Sequence, residues 1–116
     1  MAARKLAFDK WKAEDDRELF IDGRMALTTG EVYCVTKGKE KEYERTLFDD
    51  SEVEELPCTM KQVGHGAAMI ATHITGFVTN IVSNEFVWRE EVFQVPYMWD
   101  YIIPTNSVTQ KLASEL

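Results

Sequence analysis

Apolar residues along this chain fall into short runs of two different periods. "ELFIDGRM" (18–25) is a brief apolar run ending in Asp-Gly-Arg, and "GEVYCVT" (30–36) is a β-rich run opened by glycine. Both read as strands joined by a turn. Ahead of them, residues 3 to 16 carry a polar helical pattern with Leu6 and Trp11 as its apolar contacts. After them comes the charged stretch "KGKEKEYERTLFDDSEVEE" (37–55), with a short helix expected from Glu40 to Leu47 and an exposed acidic loop from Asp49 to Glu55.

The strongest periodic signal lies between residues 59 and 84. Thr59 with Gln62 three positions on forms a capping box. Met60, Val63, Ala67, Ile70, Ile74, Phe77 and Ile81 then recur at spacings of three and four, along one face of a helix that should end near Asn84. Gly64, Gly66, Ala68, Ala71 and Gly76 carry little or no side chain. A helical glycine costs about 1 kcal/mol against alanine, so their presence suggests that another element approaches closely.

Beyond the helix, Phe93, Val95, Tyr97, Trp99, Tyr101 and Ile103 alternate at the strand period. Pro96 removes a ladder donor and so places that strand at a sheet edge or breaks it in two. "PTNSVTQKLASEL" (104–116) reads as a polar tail. The pattern predicts an α/β fold in two or three layers, a mixed sheet packed on one long helix. A single domain is expected, with 1–17 as an N-terminal helix or arm, 18–103 as the core and 104–116 as the tail.

Charge and composition narrow the function. A net charge of −7 and a pI near 4.8 argue against a nucleic-acid binder or a ligand of anionic membranes. Residues 63 to 82 contain no Asp, Glu, Lys or Arg, which approaches the length of a membrane span. His65, His73, Asn80 and the threonines, with no flanking aromatic belts, favour a buried helix instead, and a membrane-associated protein is the weakest option. The N-terminus lacks the apolar run of a secretory signal. Cys34 and Cys58 have neither metal-ligand spacing nor the look of a disulfide framework, so a reduced, cytoplasmic setting is expected.

Candidate chemistry is sparse. Cys58 follows Pro57 at the predicted helix start, where the positive end of the helix dipole lowers a thiol's pKa. It is either a nucleophile or a small residue filling the position before the cap, against Val63. His65 could pair with it across about one turn, or be a structural histidine. Asp22 and Arg24 end the first strand, where α/β sheets commonly build sites; turn chemistry with a local salt bridge is the simpler account of them. Cys34 should be core and His73 an interior or interface histidine. Neither histidine has a second ligand four residues on, and no metal is expected.

The order of "FIDGRM", "GEVYCVT", "YERTLF", "PCT" and the glycine-alanine helix resembles the C-terminal half of ThiF/MoeB-type adenylyltransferases, the ubiquitin-activating-like family, in its divergent bacterial and phage branch. The likeness covers residues 18 to 103. It implies part of a Rossmann-like enzyme that adenylates the C-terminal glycine of a ubiquitin-like or sulfur-carrier protein. Cys58 matches the position of the cysteine that, in many members, attacks the adenylate or receives sulfur. The nucleotide half is missing: no strand is followed by GxGxxG, Gly38 stands alone, and Gly64 and Gly66 lie inside the predicted helix. The family's zinc-binding pairs are missing too, since no CxxC occurs. The expectation is a split subunit that assists adenylation, with ATP and Mg held only alongside a nucleotide-binding partner chain. The alternative is a non-catalytic oligomerising module. Either way a homo- or hetero-oligomer is expected.

Overall fold

The computed structural model describes residues 2–25, 29–47, 64–102 and 104–115. In chain order these form helix α1 (Ala2–Lys12), strands β1 (Leu19–Met25) and β2 (Thr29–Thr36), helix α2 (Glu40–Glu44), helix α3 (Gly64–Val82), and strands β3 (Met98–Ile102) and β4 (Ser107–Lys111). The sheet order is β1-β2-β3-β4, with every neighbouring pair antiparallel. The mixed sheet expected from the sequence is thus corrected. β1 with β2, and β3 with β4, are close in sequence, and only antiparallel pairing can be closed by so few residues.

Alternation along β1 and β2 splits the core into two layers. One face presents Leu19, Ile21, Val32 and Cys34, together with Trp99 of β3, to Ile70, Ile74 and Phe77 of α3. The other presents Phe20, Tyr33 and Val35 to Phe8 of α1 and Tyr43 of α2. The sheet is therefore covered on both faces, with α3 on one side and the two shorter helices on the other. Of the two- and three-layer arrangements expected, the described residues form three layers, with the two short helices as well as the long one packed on the sheet.

Close approach of α3 to the sheet depends on sheet glycines. A Cβ at Gly23 would lie 2.9 Å from both Ile70 Cγ2 and Ile74 Cδ1, and one at Gly30 would lie 3.0 Å from Ile70. The small residues of α3 itself point elsewhere: Ala68, Ala71 and Gly76 are exposed, and a Cβ at Gly76 would meet nothing within 4 Å. Half-buried His73 stacks on Trp99 with ring centroids 4.0 Å apart and donates or accepts at Nδ1 against the Met69 carbonyl.

Four local expectations change. In α1 the anchor is Phe8, fully buried, while Leu6 is 59% exposed. Phe8 stacks near Tyr43, Phe20 and Trp11 at 4.6, 5.5 and 5.8 Å between centroids. The aromatic strand begins only at Met98, because buried Pro96 breaks its phase: Tyr97 packs in the α1 layer with Tyr33, while Trp99 packs under α3. The predicted polar tail instead supplies β4, so β3 is an internal strand. The described helix over 40–47 is shorter than expected, spanning Glu40–Glu44.

Two ion pairs pin α2. Arg17 donates twice to Glu40 Oε1, at 2.9 and 2.7 Å, and the other Glu40 oxygen accepts from the Gly38 N–H at 2.9 Å. Lys12 of α1 pairs with Glu44. Among the described residues no helix is long and apolar enough to cross a membrane.

Candidate functional site

Past Val82 the helix continues as a π-helical segment, Ser83–Trp88, and stops at Arg89 in the left-handed conformation with φ 56°. Asn84 is the hub of this stop. Its backbone carbonyl accepts from the N–H of Arg89 and Glu90, while its side-chain oxygen accepts from the N–H of Val92 and Phe93 at 3.1 and 2.9 Å. The Asn84 amide also donates to the Phe93 carbonyl at 2.8 Å. One asparagine thus satisfies the chain reversal that brings 92–97 back beneath the helix end.

That reversal forms one wall of an open cleft of about 1080 Å³. Leu19, Cys34, Ile81, Val95 and Pro96 contribute its apolar part, and Leu112 to Ser114 close the far side. Glu18, Glu85, Glu90 and Glu91 supply four carboxylates to its lining, against Arg89 as the basic group. The cleft is therefore an acid-rimmed trough with an apolar floor, suited to an extended segment that carries basic and apolar side chains.

Cys34 sits at the floor, 5% exposed, and burial pushes its thiol up to about 12. Only the thiolate is a competent nucleophile. Native protein incubated with iodoacetamide at pH 7.5 should therefore leave Cys34 unmodified, and denaturation in urea should open it to labelling. Mass spectrometry reads the result, and rapid labelling of the native state would contradict the assignment.

Asp22 and Arg24 lie elsewhere, on the sheet face under α1 and α2. Asp22, 8% exposed, accepts from Arg4 Nε at 2.8 Å, Arg24 Nε at 2.8 Å and the Tyr43 hydroxyl at 2.7 Å. Arg24 also donates to the carbonyl and hydroxyl of Thr46 at 2.8 and 2.7 Å, and its guanidinium lies over the Tyr33 and Tyr43 rings. Burial opposes the Arg24 charge, but the bonds to Asp22 and Tyr43 outweigh it and hold the group more firmly protonated. The sequence brought the two residues to one place, and there they tie β1 to α1 and α2.

A second polar group lies near this network. Tyr33 donates to Glu31 at 2.7 Å, and Glu31 is paired in register with Asp100. Burial and the Glu31 charge both raise the Asp100 carboxyl. Tyr97 Oη, Asp100 Oδ1 and Glu42 Oε2 are buried without a hydrogen-bond partner. Among the described residues no cluster of three or more His, Cys, Asp or Glu could hold a metal ion.

Cys58 lies outside the described residues. His65 stands in the first turn of α3, and its side chain is likewise outside what is described. Pattern reading missed the cleft, because Asn84, Arg89 and the glutamates around it match no motif and meet only through the chain reversal. An asparagine closing a long helix was the one available signal. Comparison of the chain with known protein families, with curated proteins and with solved structures finds no match.

Proposed function

We propose that this chain is the carrier-binding half of a ThiF/MoeB-like adenylyltransferase. In this reading the acid-rimmed cleft receives the extended C-terminal tail of a ubiquitin-like or sulfur-carrier protein. A separate nucleotide-binding chain would supply ATP and Mg, because no phosphate-cradling glycine turn occurs in the sequence. The order of elements on which the resemblance rests also supports the reading. Two strands, a short helix, a long helix and a further aromatic strand follow one another in the fold.

The cleft is the observation that carries the proposal. It is open at the surface, apolar at its base and rich in carboxylates at its rim. Cys58 remains the residue that would attack the adenylate, on the resemblance alone.

A labelled peptide ending in Gly-Gly and carrying two arginines upstream tests the reading by fluorescence anisotropy. Binding in the range of tens of micromolar is expected. It should weaken about tenfold in the Glu90→Lys, Glu91→Lys variant and fall with added salt. No binding up to millimolar protein, or equal binding by the charge-reversed cleft, would overturn it. The alternative of a non-catalytic oligomerising module draws support from a different feature, the outer side of α3.

A further inference from the structure

Helix α3 carries no charged side chain on any side, yet the sheet covers only one side of it. Ile70, Ile74 and Phe77 pack inward. On the other side Val78 and Val82 are 41% and 47% exposed, and Phe86, at the next four-residue step, is 69% exposed. No Asp, Glu, Lys or Arg occurs from Gly64 to Asn84, in a chain whose net charge is −7. A helix side that faces water ordinarily carries charge, and one that is apolar on every side belongs in an interior. Even the hydroxyls here turn back onto the helix. Thr72, Thr75 and Thr79 donate to carbonyls four residues earlier at 2.8 to 2.9 Å.

We propose that the outer side of α3 is the seat of a second copy of this chain, in a two-fold pair with the two α3 helices antiparallel. The proposal is independent of the carrier-tail reading, since none of these exposed residues lines the cleft.

Size, charge and area all select this occupant. The N-terminal half of the outer side is built of small residues, Ala68, Ala71 and Thr72, whereas its C-terminal half carries Val78, Val82 and Phe86. Antiparallel pairing sets the large half of each helix against the small half of the other, so one surface complements itself, as a two-fold interface requires. Two copies of an acidic chain repel across most faces, and this side is the uncharged one. The three large side chains leave on the order of 300 Å² in water, and the small residues between them extend the face toward the ~800 Å² per partner of a standard interface. The two-fold axis then passes between Thr75 and Thr79, both exposed.

Sedimentation velocity from 5 to about 200 μM tests the pairing, a range that spans the micromolar affinities of weak specific interfaces. The expected result is a reversible species of twice the 13.4 kDa chain mass. The double variant Thr75→Arg, Thr79→Arg places four guanidinium groups at the axis and should weaken association at least ~100-fold, an effect sized to paired like charges at an interface. Arginine is a better helix former than threonine, so far-ultraviolet circular dichroism should be unchanged. If that variant does not fold, Thr75→Cys in a Cys58→Ser background decides, through formation of a covalent dimer with a short bismaleimide. A monomer at the highest concentration, a dimer untouched by the arginines, or absence of the cross-link would each overturn the proposal.

Discussion

Asp22→Ala is expected to destabilise the chain by about 3–5 kcal/mol, the cost of removing one partner from a buried ionic network. The carboxylate accepts from two guanidinium groups and a phenol, and it is 8% exposed. Arg24, whose side chain is 12% exposed, loses its counter-charge in the variant while staying beneath α2. Arg4 is 28% exposed and can turn toward water, so most of the loss belongs to Arg24. This predicts a particular non-additivity. Asp22→Leu combined with Arg24→Met should be less destabilised than Asp22→Ala alone, because the pair is removed together and its volume is kept. Urea denaturation of the three proteins measures it. A single variant within about 1 kcal/mol of the parent would show that solvent already screens the network, as it does surface ion pairs.

The other large effect belongs to Phe8. Its ring is fully buried, and it contacts Tyr43, Phe20 and Trp11, which come from three different elements or turns. Phe8→Ala should cost about 3–5 kcal/mol, combining lost transfer energy with the cavity left under α1. The layer joining α1 and α2 to the sheet depends on this ring, so the variant should also lose near-ultraviolet dichroism from the aromatic cluster. Leu6→Ala, two residues away on the other side of α1 and 59% exposed, is the control and should change stability by less than about 0.5 kcal/mol. If the two variants prove equally mild, α1 is an accessory arm and not part of the core.

How much of this was readable in advance differs by element, and the differences have physical causes. The two hairpin strands 19–25 and 29–36 and the long helix were legible because each carries its own period: alternation or a three-four spacing needs no distant partner. The burial of Cys34 and the half-buried place of His73 followed from those periods directly. The choice between Leu6 and Phe8 did not, since either residue could give α1 an apolar contact and only the position of Tyr43 and Phe20 selects one. Pro96 announced a disturbance, but not that it would move Tyr97 and Trp99 to opposite faces. The fate of 104–116 was hidden as well, because "SVTQK" has no core of its own and becomes β4 only where β3 offers an edge to pair with.

The candidate site shows the same division. Asp22 and Arg24 were singled out as ending the first strand; Asp22 instead stands at the middle of β1, because the strand runs on to Met25, and local geometry still joins the two. Their inclusion under α1 and α2 depends on contacts from Arg4, Tyr43 and Thr46, which lie between 18 and 22 residues away from them in sequence. The trough beneath Asn84 could not be read at all, because its walls come from four separate stretches of chain. Local periodicity determines which residues turn inward within an element, since that depends on backbone geometry alone. Which elements meet, which polar groups find partners and which apolar side is left uncovered are decided by packing between distant segments, and for α3 that packing uses only half of what the sequence made apolar.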